Sequence, residues 1–108
     1  CGANYHPYGI KEEGRRDMRA EYARSGDPRM ALMLEEPLLT KADLSRVQCP
    51  TCVLAGQNDI IEEAHTREIA ACIADSRLFI LEREDHASYV EGSDMLAGLC
   101  DEFFREGR

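Results

Sequence analysis

The sequence predicts an α/β protein built around one parallel βαβ unit. Two short apolar runs, 52–56 and 77–81, are separated by an amphipathic stretch at 61–74 that is long enough for a helix. Parallel strands need such a crossover, whereas antiparallel neighbours would be joined by a short turn. We therefore expect two parallel strands whose carboxyl ends lie at the same edge of the sheet.

The beginning of the chain predicts a loop that leads into a helix. Residues 1–9 are rich in glycine and aromatic side chains, a composition typical of loops. From residue 10 to residue 24 the composition becomes helical, and Ile10, Met18 and Tyr22 recur at a spacing of four. A serine and a glycine then favour the end of this helix.

Two shorter helices are expected before the first strand. Asp27-Pro28 places an N-cap residue before a proline at the first helical position, and this helix should run to about Leu34. Thr40 and Asp43 resemble a capping box with aspartate in place of glutamate. One or two turns should therefore follow Thr40 and lead into the strand.

The remaining helices are predicted from apolar periodicity. The crossover helix should cover the sheet with one apolar side. That side consists of Ala64, Ile69, Cys72 and Ile73. A last helix, which Ser93 can cap, should return to the sheet. Its apolar residues recur at spacings of three and four, and they are Met95, Leu96, Leu99, Cys100 and Phe103.

Charge and hydropathy exclude several classes of function. The net charge is −8, and it lies in the second half: residues 1–48 carry eight basic and eight acidic side chains, whereas residues 49–108 carry five and thirteen. An acidic surface repels phosphate backbones and anionic lipid, so we expect no nucleic-acid or membrane partner. No apolar run approaches the about 20 residues that span a bilayer.

Cysteine usage indicates a reducing compartment. The five cysteines are an odd number without a disulfide-like framework, which predicts the cytoplasm. Cys49 and Cys52 match C-x-x-C, but a redox pair should open a helix, whereas these residues enter a strand. No second pair has the spacing of a zinc site. We expect no metal and no cofactor, and a small redox protein is the least favoured function.

Asp59 and His86 are the candidate catalytic residues. Each follows one of the two predicted strands, so both side chains should emerge at the same edge. Strands lie ~4.8 Å apart, which allows the carboxylate to reach the imidazole. Such a pair is half of a catalytic triad. Alternatively, Asn58 or Asp59 simply caps the helix that begins near Ile61.

Three stretches of the sequence resemble the carboxyl-terminal part of an α/β-hydrolase of the esterase, lipase and peroxidase-like superfamily. These stretches are residues 44–59, 65–69 and 76–86. The resemblance implies a partial α/β-hydrolase fold, with a parallel βαβ unit, flanking helices and a helical cap remnant. It divides the chain into a loop and cap-like helical segment at 1–48 and a βαβα part at 49–108.

The resemblance also implies catalytic roles. Asp59 stands at the position of the triad acid, and His86 at that of the base. The G-x-S-x-G nucleophile elbow and the oxyanion loop of the family precede everything in this sequence. Ser25 and Ser45 lie before Asp59, but neither follows a strand or has the flanking glycines of a nucleophile elbow. Only Cys1 could lie near the correct edge, and no sequence feature activates its thiol.

A substrate pocket should be built partly from the cap segment. An apolar lining favours uncharged ester-like small molecules. The candidate substrate-binding residues are Tyr5, Tyr8, Met18, Tyr22, Met30 and Met33.

Two functions follow from these expectations. The first is acyl hydrolysis by a Ser-His-Asp triad whose serine lies outside these residues, so the chain alone should show no esterase turnover. The second is a non-catalytic binding or dimerising module. In either case a two-stranded sheet leaves free edges. We expect the missing N-terminal half of the hydrolase or a second copy of the chain to cover them.

Overall fold

The structure, a computed structural model, describes residues 4–91 and 94–106. Its elements in chain order are a 3₁₀ turn at Pro7–Gly9, α1 at Glu12–Ser25, α2 at Pro28–Glu35, α3 at Lys41–Ser45, β1 at Thr51–Gly56, α4 at Glu63–Cys72, β2 at Ser76–Leu81 and α5 at Met95–Arg105. The predicted fold class, an α/β protein with one βαβ unit, is confirmed.

The two strands lie parallel, as the crossover predicts. Thr51 is opposite Ser76 at one end of the register, and Gly56 is opposite Leu81 at the other. Helix α4 packs against both strands. Within the described residues the sheet contains only β1 and β2, so each strand has one free edge. The carboxyl ends of both strands therefore meet at one edge of this small sheet.

The helix ends follow the capping signals in the sequence. Gly26 adopts a φ of 67° and ends α1, a conformation that glycine allows at little cost. The Asp27 carboxylate accepts a hydrogen bond from the Arg29 N–H group at 2.9 Å and caps α2. Thr40 and Asp43 form the expected capping box, because each side chain accepts from the backbone N–H group of the other.

The start of α1 differs from the prediction. The helix begins at Glu12, and Ile10 lies outside it in extended backbone. Ile10 pairs with Ile61 in an isolated antiparallel bridge, and both side chains are buried. The Lys11 N–H group donates to the Ile60 carbonyl oxygen at 2.7 Å. These contacts attach the N-terminal segment to the loop after β1, and no periodicity in the sequence indicates them.

The buried side of α4 was predicted only in part. Ala64 is exposed, whereas Thr66 is fully buried, and its Oγ1 atom has no hydrogen-bond partner among the described residues. Successive helical residues are rotated by about 100°, so the side that buries Thr66 turns Ala64 towards solvent. Ile69 is half-buried, and Ile73 is buried just beyond the end of the helix.

Helix α5 is the last element of the chain. It buries Phe103 and exposes Met95 and Phe104. The predicted cap, Ser93, lies outside the described residues, as does Cys1.

Candidate active site

Asp59 and His86 form the centre of the site. The Nδ1 atom of His86 lies 2.8 Å from the Oδ1 atom of Asp59, so the expected proximity is confirmed. Asp59 is only 2% exposed, whereas the side chain of His86 is 42% exposed. The site thus combines a buried carboxylate with an imidazole that solvent and small molecules can reach.

Backbone donors fix the orientation of the Asp59 carboxylate. Its Oδ2 atom accepts from the Gly56 N–H group, and its Oδ1 atom accepts from the Ile61 N–H group, both at 3.1 Å. The N-cap of α4 is Glu62, so the alternative in which Asn58 or Asp59 caps that helix is wrong. Buried carboxylates are stable in the charged form when N–H groups point at them.

This arrangement selects one form of the imidazole. A carboxylate only accepts hydrogen bonds, so the neutral His86 ring places its proton on Nδ1, facing Asp59. The Nε2 atom is then the free acceptor. An imidazole held in this way can take a proton at Nε2, and the nearby carboxylate stabilises the resulting cation.

The loop that carries His86 is held by the end of β1 and by its own side chains. The Asn58 N–H group donates to the Glu84 carbonyl oxygen at 2.8 Å. The Asp85 carboxylate accepts from the N–H groups of Ala87 and Ser88, both at 2.9 Å, and these bonds lower the pKa of Asp85. His86 therefore projects from a hydrogen-bonded turn.

A cleft of about 430 Å³ opens between the cap-like helices and His86. Its lining is mostly apolar, and Glu36 is the carboxylate-bearing residue in it. The residues that line it are Asn4, Ile10, Met18, Leu32, Met33, Glu36, Pro37, Ile60, Ile61 and His86. Two of the predicted substrate-binding residues, Met18 and Met33, thus lie in one cleft with the imidazole. Leu32 and Ile60, which line the same cleft, were not predicted.

The other predicted substrate-binding residues lie elsewhere. Tyr5 stacks on His65 with ring centroids 4.5 Å apart. Tyr8 is 72% exposed and lines a separate cleft. Tyr22 on α1 and Met30 on α2 do not line the cleft beside His86. A role for these four residues in substrate binding stays a prediction.

A second cleft, of about 720 Å³, also borders His86. It lies along β1 and is bordered by α5 and by the residues after His86. Its lining includes Cys52, Val53, Tyr89, Leu96 and Cys100. Tyr89 is 8% exposed, and burial together with the Asp59 charge raises its pKa. Tyr89 was not predicted, because it lies in an irregular turn where no periodic pattern marks the buried residues.

Among the described residues, the C-x-x-C pair of Cys49 and Cys52 lacks one feature of a redox centre, a thiol with a lowered pKa at Cys52. Cys49, Cys52, Cys72 and Cys100 are free thiols. Burial raises the pKa of Cys52, and a redox-active thiol normally has a lowered pKa. In residues 4–91 and 94–106, no group of three or more His, Cys, Asp or Glu side chains is arranged to hold a metal ion. None of the described helices is long and apolar enough to cross a membrane.

Three solved structures that share this arrangement of elements are described as hydrolases. A predicted CIB-like hydrolase from Thermoplasma acidophilum is 28% identical, with a TM-score of 0.56 over 61% of this chain and 32% of its own. A meta-cleavage product hydrolase from Pseudomonas fluorescens, in complex with acetates, is 21% identical, with a TM-score of 0.59 over 76% of this chain and 30% of its own.

A second meta-cleavage product hydrolase structure, an alanine-to-valine mutant, matches this chain to a similar degree. It is 21% identical, with a TM-score of 0.57, and the match covers 82% of this chain and 37% of that one. No family model matches the sequence, and no curated protein matches it either. The chain spans about a third of the length of these hydrolases, and its architecture is a partial α/β-hydrolase fold.

Proposed function

We propose that this chain supplies the acid and the base of a Ser-His-Asp acyl hydrolase. The observation that carries the proposal is the contact of 2.8 Å between the buried Asp59 carboxylate and the accessible His86 imidazole. The likeness to hydrolases supports it at the level of fold.

In this proposal each residue has a distinct role. His86 takes the proton from a serine hydroxyl through Nε2 while the serine oxygen attacks an acyl carbonyl. Asp59 keeps the ring in the required orientation and stabilises the imidazolium that forms. The serine and the oxyanion donors belong to a part of the enzyme outside these 108 residues.

The cleft that contains Met18, Met33 and His86 is the proposed substrate site. Its apolar lining accommodates an uncharged acyl group or ring, and Glu36 in the same cleft disfavours an anionic substrate. A small ester-like molecule is therefore the proposed substrate class.

A second candidate function is a binding or dimerising module. The free edge of β1 and the cleft of about 720 Å³ beside it favour this alternative, because an unpaired edge and apolar surface invite a further strand or another chain. The proposed occupant is a second copy of this chain, which pairs edge to edge with the first.

A serine-directed probe tests the catalytic proposal. A fluorophosphonate is applied to the 108-residue chain and to the product of its natural reading frame, and ester turnover is measured in parallel. We expect labelling of a serine and turnover only where an upstream G-x-S-x-G segment is present. His86→Gln should abolish turnover, and the matched control His6→Gln should retain it.

Two results would contradict the catalytic proposal. One is a covalent adduct on any residue of the 108-residue chain, accompanied by turnover. The other is turnover in the longer product that survives His86→Gln. Sedimentation of the chain alone addresses the second candidate, for which we expect association that depends on concentration; a compact monomer at all concentrations would count against it.

A further inference from the structure

The turn that leads from β2 to His86 contains an uncommon backbone conformation. Arg83 has a φ of 63°, and among the described residues it is the only residue other than glycine with a positive φ. The Glu84 N–H group donates to the Leu81 carbonyl oxygen at 3.3 Å, which closes a four-residue β-turn around it. A positive φ at the third position of such a turn favours glycine or asparagine, so a long side chain here carries strain.

Gln57 holds this turn from the end of β1. Its Oε1 atom accepts a hydrogen bond from the Arg83 N–H group at 3.1 Å. Its own N–H group donates to the Leu81 carbonyl oxygen at 2.8 Å. Gln57 therefore bonds to the turn at two points, and one of them is the N–H group of the strained residue itself.

The two residues after Gln57 also contact the segment that carries His86. Asn58 donates to the Glu84 carbonyl oxygen, and Asp59 binds His86. The turn held by Gln57 ends two residues before His86. A displacement of this turn would change the direction of the His86 side chain. The hydrogen bond of 2.8 Å between His86 Nδ1 and Asp59 Oδ1 tolerates little displacement.

We infer that Gln57 is a positioning residue for His86. By holding Arg83 in the left-handed conformation, its side-chain oxygen fixes the turn that presents the imidazole to Asp59. The described hydrogen bond of the Gln57 side chain goes to the Arg83 N–H group, so Gln57 acts on His86 through the backbone of the turn. The inference rests on the proposed function only in that His86 is the base.

Nuclear magnetic resonance of the His86 ring tests this role in the 108-residue chain, without any need for turnover. The measured quantity is the exchange rate with solvent of the Nδ1 proton that faces Asp59. Gln57→Met removes the acceptor oxygen and keeps an unbranched side chain, and we expect exchange to become about fivefold faster, the effect of losing one net hydrogen bond.

Two matched variants separate positioning from general stability. Gln57→Glu keeps an acceptor oxygen and should retain slow exchange. Adding Arg83→Gly to Gln57→Met should restore slow exchange, because glycine adopts a positive φ without strain. The double variant also provides a folded protein for the measurement if Gln57→Met alone unfolds.

The inference is overturned if Gln57→Met lowers the melting temperature but leaves the exchange rate of the His86 proton unchanged, since the bond would then be merely structural. It is also overturned if Arg83→Gly fails to restore slow exchange in the double variant. Failure of the hydrolase proposal would leave both measurements unaffected, because they report only the contact between His86 and Asp59.

Discussion

Gly56 lies against the main chain of Glu84. A Cβ atom on residue 56 would come within 2.4 Å of the Glu84 carbonyl oxygen and within 2.5 Å of that of Asp85. Both obstacles are backbone atoms, which cannot rotate away as a side chain could. The end of β1 and the loop that carries His86 can approach each other closely only because residue 56 has no side chain.

We expect Gly56→Ala to push this loop away from β1. The overpacking should lower the free energy of unfolding by about 1–3 kcal/mol and weaken the contact between His86 and Asp59. Urea unfolding and the His86 ring resonances measure the two effects. The control is Gly98→Ala in α5, where a Cβ atom meets nothing within 4 Å and alanine should stabilise the helix by about 0.5–1 kcal/mol. Equal effects of the two substitutions would contradict this prediction.

Asp59→Asn should be destabilising despite its similar shape. Both carboxylate oxygens accept backbone N–H groups, and an amide can offer only one oxygen and must turn its NH₂ group towards a donor. We expect a loss of about 1–3 kcal/mol in the free energy of unfolding. Asp101→Asn, at an exposed ion pair with Arg105, should change stability by less than about 0.5 kcal/mol. A similarly small loss for Asp59→Asn would refute the prediction.

Stability should decrease at mildly acidic pH because of His65. Its Nε2 atom accepts from the Tyr5 N–H group at 3.1 Å, and burial lowers its pKa below the ordinary value of 6.5. A base with a lowered pKa in the folded state binds its proton more readily when unfolded. The neutral His65 ring therefore contributes fully to the free energy of unfolding above pH 6.5. This contribution is lost as the pH falls through the lower pKa of His65 in the folded state.

Denaturant unfolding between pH 8 and pH 5 measures this loss. His65→Phe preserves a ring that can stack on Tyr5 but cannot titrate, so the decrease over this interval should disappear. The control His6→Asn should retain most of the decrease, because burial is the largest cause of the lowered His65 pKa and an asparagine can still cap the 3₁₀ turn. A decrease of the same size in His65→Phe would assign it to another group.

The capping box before α3 should contribute measurably to stability. Thr40→Ala removes the oxygen that accepts from the Asp43 N–H group at 3.1 Å, and we expect a loss of about 1 kcal/mol. Thr40→Ser preserves the hydroxyl and should cost much less. Thermal unfolding compares the two variants, and indistinguishable melting temperatures would show that the cap is energetically neutral.

Local signals in the sequence predicted the framework of the fold. Apolar runs, a crossover helix and capping residues act over a few positions, so the strands and the ends of α2 were predictable from their own residues. The contact between Asp59 and His86 was predictable once the two strands were. Both residues follow parallel strands, and the topology of the βαβ unit alone brings them to one edge.

Contacts between irregular segments and distant elements could not be predicted in this way. The stacking of Tyr5 on His65 and the bridge between Ile10 and Ile61 join parts of the chain that share no periodic pattern. The same holds for the hydrogen bond from Arg83 to Gln57, which depends on one rotamer and one unusual φ. Such contacts depend on three-dimensional packing that composition and spacing do not encode.

The separation of 27 residues between Asp59 and His86 has a consequence for how such genes can recombine. Asp59, His86 and the turn before His86 all lie in one continuous segment that runs from β1 to the loop after β2. An exchange point in the loop at residues 46–50, between α3 and β1, would replace everything before the sheet and still transmit the pair intact. Different helical segments could therefore be joined to one inherited pair, and under the proposed function substrate preference could diverge while the geometry between Asp59 and His86 is preserved.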